Sequence, residues 1–200
     1  MTLRGLLPLI TAIVICGGSI LVEARQPQRP VSAAKPTATQ PVQPQWKLFT
    51  APDGRFTVLM PGQPERNSET QKTYMGEINL EMFVAQPPKQ EVAYVVVYND
   101  FPYSYGQMAN PQTILNNARD MALKTTRSNL ISQRNIRSSN GHPGKEIVYI
   151  NTGGKITKNR MYVTEGRLYQ VMAITSRKQQ QTLAKTITGY LNSFHVVLKK

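Results

Sequence analysis

Cysteine is nearly absent from this 200-residue chain: the single one, Cys16, lies in the N-terminal apolar run. The rest of the chain therefore has no disulfide, no thiolate nucleophile and no cysteine metal site. Histidine is almost as scarce, with only His142 and His195. A metal site gathers two or three His, Cys or carboxylate groups at helix or hairpin spacing, and no such set occurs, so no metal ligand is assigned. A Gly-x-Ser-x-Gly elbow is missing as well. The run Asn151-Thr-Gly-Gly-Lys-Ile-Thr157 has the outline of a phosphate loop, but it leads into a strand where such a loop opens a helix. His142 sits in the turn Asn140-Gly-His-Pro-Gly144 with no acid or nucleophile beside it, and reads as a turn residue before the general base of a hydrolase, the least favoured reading. With no catalytic, cofactor-binding or metal residue to name, the chain is expected not to be an enzyme and to carry no cofactor.

Acidic residues are the next shortage, and it is local. From Arg119 to Lys200 there are 15 basic residues against Asp120, Glu146 and Glu165, a net of +12 out of the formal +13. From Arg25 to Ala118 the net is +1. So basic a half is drawn to anionic surfaces, whether an acidic protein face, anionic lipid or wall polymer. The other reading is a solvated sheet face whose charges maintain solubility and keep edges unpaired.

The only long apolar run is Gly5 to Val22, preceded by Arg4 and followed by Glu23-Ala24. It reads as an export signal over residues 1–24, cleaved after Ala24. At 18 residues it also reaches the lower limit for an uncleaved membrane anchor. Lipidation at Cys16 is a third reading, against which Ile15 stands where a small residue is usual. Export disfavours nucleic acid as the partner, whatever the charge. Residues 25–45 hold five prolines among Gln, Thr, Ala and Ser, and read as an extended, disordered linker. Residues 46–200 are left as one domain, a size at which a core alone gives stability.

Within that domain, alternation and turn chemistry predict short strands at 46–50 and 55–60, a hairpin over 69–86 and a strand over 91–99. The last, Val92-Ala-Tyr-Val-Val-Val-Tyr98, is apolar on both faces, so it is expected to be central and covered on both sides. Asn110-Pro111 is an N-cap followed by proline at the first helical position, and predicts a helix to about residue 126. Three strands follow near 130–137, 144–151 and 155–164, joined by Asn-Gly and Gly-Gly turns into a meander. A closing strand over 167–175 precedes a helix with Leu183, Ile187, Tyr190, Leu191 and Phe194 on one stripe. The upstream strands all read as supplying the sheet on which this stripe lies. The fold class is α+β, an antiparallel β-sheet with helices packed on its faces. Trp46 and Phe56 read as plugs for one end of the core.

Two surfaces stand out. Lys158 and Arg160 share a strand face with Tyr162, while Arg134, Arg137, Lys145 and Lys155 lie at neighbouring strand ends or turns; together they would form a cationic, partner-binding patch with Tyr162 as a stacking group. Tyr103 and Tyr105, in a loop next to Tyr94 and Tyr98, are the alternative, a recognition surface for a small ligand or envelope polymer. Packing against the helices accounts for Tyr94 and Tyr98 equally well.

Trp46-Lys-Leu-Phe, Gly54-Arg-Phe-Thr-Val-Leu-Met-Pro61, Gly144-Lys-Glu-Ile, Arg167-Leu-Tyr-Gln-Val and Ser193-Phe194 resemble, in that order, the PsbP-like family. The resemblance spans most of residues 46–197. It implies an α-β-α sandwich and a place among extrinsic lumenal or exported proteins, in a periplasm or thylakoid lumen. The motifs are turns and core positions, so they transfer no site residues. What they imply for partners is an acidic protein surface or a membrane protein complex, photosystem II included, met by a monomer with or without association at the membrane surface.

Overall fold

Hairpin turns keep successive strands of this chain antiparallel, and a strand's alternation decides which face each side chain occupies. The computed structural model describes residues 44–73, 76–102 and 109–198. The expected export signal and nearly all of the expected linker, together with Tyr103 and Tyr105, lie outside the described residues. No described helix is long and apolar enough to cross a membrane.

The strands are β1 (Trp46–Thr50), β2 (Phe56–Pro61), β3 (Glu65–Thr73), β4 (Gly76–Ala85), β5 (Val92–Asp100), β6 (Ser128–Arg137), β7 (Pro143–Asn151), β8 (Lys155–Thr164), β9 (Arg167–Ser176) and β10 (His195–Val196). The helices are α1 (Pro111–Thr125), α2 (Arg177–Gln180) and α3 (Ala184–Asn192). Seven strands make one antiparallel sheet in the order β3-β4-β5-β9-β8-β7-β6. The closing strand β9 is thus inserted between β5 and β8, which completes the sheet around its most apolar strand. From Val92 to Asn99 every residue of β5 is buried.

One expectation is corrected here. β1 and β2 do not join the large sheet; with β10 they form a separate three-stranded sheet, β1-β2-β10. The reason lies in β2, which buries Phe56, Val58 and Met60 completely and turns Thr57 and Leu59 outward. Such a one-sided strand suits a covering layer. The final helix is also interrupted. Residues 178–182 are all Lys, Gln or Thr and offer nothing to bury, so the chain makes the short helix α2, capped by Ser176, and turns before α3.

The large sheet is covered on both faces. On one, α1 lays Ile114, Leu115 and Ala118 against Ile147 and Tyr149 of β7, Met161 and Val163 of β8 and Leu168 of β9. Its start is fixed by Asn110, whose side chain accepts from the Gln112 N–H at 2.8 Å, with Pro111 at the first helical position. On the other face, the small sheet and α3 enclose an aromatic core. Phe56 lies at its centre, with the rings of Phe49, Phe83, Tyr98, Tyr169 and Phe194 at 5.5–6.1 Å. Ile187, Tyr190, Leu191 and Phe194 of the expected stripe are buried in this core, and Leu183 packs at its margin. Trp46 meets Tyr94 edge-on at 5.1 Å, so the two aromatics expected to plug the core do so.

Candidate functional site

Pairing register assembles the basic face. On β7, Glu146 and Val148 point to the α3 side of the sheet, whereas Lys145 and Ile147 point towards α1. Opposite Glu146 stand Arg134 of β6 and Arg160 of β8, and Lys158 is two residues further along. All three cations converge on the one carboxylate. Arg134 Nε lies 2.9 Å from Oε1, Arg160 Nε 2.7 Å from Oε2 and Lys158 Nζ 3.7 Å from Oε2. Arg160 also donates through Nη1 to Asn192 Oδ1 at the end of α3, at 2.7 Å.

The Glu146 side chain is only 8% exposed. Burial alone would push its carboxyl up, but the hydrogen bonds from Arg134 and Arg160 and the charge of Lys158 outweigh this and hold it below the usual carboxylate range. It is therefore a fixed anion in a cationic frame. Three cations share one carboxylate, so among the described residues the face keeps an excess of two positive charges in a set geometry. Beside it, between β7–β9 and α3, lies a cleft of about 150 Å³. Val148, Ile156 and Ala173 form its floor, Ala184 and Ile187 its helix side, and Lys158 stands at its edge.

The other expected members of the patch are placed elsewhere. Lys145 is buried on the α1 face, where its Nζ donates to Asn135 Oδ1 at 2.8 Å and burial lowers its pKa. Arg137 donates to the Gly141 carbonyl oxygen at 2.8 Å, at the β6–β7 turn. Lys155 is exposed at the β7–β8 turn. Tyr162 is corrected as a surface stacking group: it is 4% exposed, and its ring lies parallel to that of Phe194 at 5.7 Å, inside the core. The strand face that carries Lys158, half-buried, and Arg160, largely buried, passes into the core before it reaches Tyr162.

Of the expected tyrosine surface, Tyr94 and Tyr98 belong to the core, while Tyr103 and Tyr105 lie outside the described residues. Tyr94 is fully buried and Tyr98 is 8% exposed, both within the aromatic core. Burial pushes each hydroxyl up to about 12. His142 is half-buried, with Nε2 unpartnered among the described residues and its backbone N–H donating to Ser138 Oγ.

A second ionic cluster, which sequence reasoning missed, closes one end of the sandwich. Arg167 grips Asp100 with two bonds of 2.7 Å, bonds Asp53 through Nη1 and lies 4.0 Å above the Tyr98 ring. Arg55 bonds Glu165 at 2.9 Å and reaches Asp100 at 3.4 Å. Burial opposes the charge on Arg167, but the bonds it donates to Asp100 and Asp53 prevail and raise its pKa. The one sequence signal was a repeated acid-Gly-Arg tripeptide, Asp53-Gly-Arg55 and Glu165-Gly-Arg167.

Neither a family model nor a curated protein matches this chain. Solved structures do. Cyanobacterial PsbP (CyanoP) from Synechocystis sp. PCC 6803 superimposes with a TM-score of 0.55 over 84% of this chain and 100% of that one, at 10% identity. The fold is PsbP-like. At that identity the likeness concerns the fold alone, and the basic face of β6–β8 is a feature of this chain's own residues. A protein of unknown function, PA94 from Pseudomonas aeruginosa, matches more loosely, with a TM-score of 0.45 and 12% identity over 78% of this chain and 98% of that one. The PsbP-like motifs read from the sequence fall at structural positions, notably Gly144. A Cβ on Gly144 would lie 2.6 Å from both the Met161 carbonyl oxygen and the Tyr162 ring.

Proposed function

We propose that the chain is an exported, non-enzymatic binding or accessory module that docks on an acidic protein surface. The face it uses is the one built by Arg134, Lys158 and Arg160. The observation that carries this reading is the convergence of three cations on Glu146, which leaves positive charge in excess and holds it in place. A solvated face meant only for solubility needs no such ordering, since mobile side chains serve it as well. Fixed charges suit recognition, because the cost of ordering them has been met before the partner arrives. Arg134 and Lys158 remain accessible enough to pair across an interface while Arg160 and Glu146 hold the frame.

The PsbP-like fold adds a partner class by analogy: a membrane protein complex in a periplasm or thylakoid lumen, photosystem II among them. The test is retention of the full chain on native membranes across a salt series, with the retained complex identified. One complex should be held at low ionic strength and released as the Debye length shortens. Arg134→Glu with Lys158→Glu should abolish retention and leave the circular dichroism spectrum unchanged. Lys72→Glu, on β3 at the opposite edge of the large sheet, should have no effect. Equal retention of both variants would sink the proposal.

A further inference from the structure

The cleft beside the basic face borders the aromatic core, to which its Ala173 and Ile187 belong. Val148 and Ile156 line it, yet neither belongs to the aromatic core it adjoins. At about 150 Å³ it falls well short of the ~300–1,000 Å³ of ordinary small-molecule sites and matches a cavity that takes one benzene-sized group. That is the volume of one side chain. Its surroundings specify the rest. Lys158 pairs in register with Val148 on one side and Ala173 on the other, so its ammonium rises from the apolar floor itself. The next row along the same face is Arg134, Glu146 and Arg160. A socket with an apolar floor and Thr175, Gln180 and Thr188 on its rim thus shares a wall with an excess of positive charge.

We infer that this cleft is the anchor socket of the docking face, receiving one aliphatic side chain that is flanked by carboxylates on an acidic partner segment. This rests on the docking reading above and adds to it the residue that sets position. The arrangement is that of an interface hot spot, a pocketed apolar anchor ringed by charge, in which the anchor gives affinity and the charges give orientation. A leucine or isoleucine would lie on Val148, Ile156 and Ala173 under Ile187. Carboxylates on either side of it would meet Lys158 and Arg134, the two more exposed cations of the frame, where they stand.

The experiment is a methyl-resolved NMR titration of the full chain with three pentapeptide probes. One carries leucine between two aspartates, one serine between two aspartates, and one leucine between two lysines. The first should shift the methyl signals of Val148, Ile156 and Ile187 and bind about tenfold more tightly than either of the others. Ala184→Phe, an exposed position on the helix rim, should fill the socket and remove those shifts while leaving the rest of the spectrum in place. If the leucine and serine aspartate probes bind alike near Lys158, or the methyl shifts survive Ala184→Phe, the socket is wrong and the docking face stands. If no aspartate probe perturbs residues near Lys158 at low salt, both fail together.

Discussion

Glu146 is where the basic face is held together, and its removal separates two effects that usually run in parallel. Glu146→Gln leaves Arg160, a largely buried cation, without its anion. The expected loss is about 2 kcal/mol, less than the ~3–5 for breaking a fully buried pair, because Arg134 and Lys158 are already partly exposed to solvent. It should appear as a lower urea midpoint. The same change raises the positive excess of the face, so affinity for an acidic partner at low salt should rise while stability falls. Gly144 gives the second prediction at this scale. The Tyr162 ring lies over its bare Cα, and a methyl there would meet that ring and the Met161 carbonyl oxygen. Gly144→Ala should cost about 2 kcal/mol through overpacking, with Tyr162 displaced from Phe194. The Gly144-Lys-Glu-Ile motif was visible in the sequence, but its reason is a cross-strand contact that only register reveals.

Among the elements, the strands were legible because alternation is a local property, and so was the stripe of α3. The layering was not. β1 and β2 alternate much as the other strands do, and nothing local says that Phe56 pairs with a two-residue strand 140 positions later. The site divided along the same line. Lys158 and Arg160 could be placed on one face by counting in twos, whereas Lys145, one residue from Glu146, falls on the opposite face. Arg55 and Arg167 stood unremarked beside their turns because their partners come from three separate strand ends.

That cluster makes the docking of the small sheet sensitive to acid. Within it, burial pushes the Asp53 carboxyl up, but bonds from Arg167 and Arg55 prevail and lower it; elsewhere Glu146 is lowered in the same way, and Glu81 of β4 by its bond from Arg66 of β3 at 2.9 Å. A lowered folded value means stability that is complete above the unfolded pKa of about 4 and is lost as pH falls through the folded value. The urea midpoint should therefore be level from neutrality to about pH 5 and decline below about pH 4. In Asp53→Asn it should start lower and decline less. A decline of equal size in that variant would remove Asp53 from the account.

Across the whole molecule, the two sheets share one aromatic core, so the small sheet cannot leave without opening the large one. Trp46, the single tryptophan, reports on that junction through Tyr94 and Tyr190. Tryptophan fluorescence and far-ultraviolet circular dichroism should therefore trace one coincident transition in urea. Separate midpoints would mean that β1-β2-β10 is a detachable layer.

The arrangement of that layer has a mechanical side. β1 and β10 flank β2, both antiparallel to it, and so run parallel to each other. Tension between residues 46 and 197 would draw β1 backwards and β10 forwards along the same central strand. The β1–β2 and β2–β10 hydrogen bonds would then be loaded together in shear instead of parting one by one like a zip. A tether at one end and a grip at the other would strain the strongest direction of the sheet. In an optical trap, the rupture force along this axis should exceed that for pulling between residues 46 and 61, which peels β1 from β2.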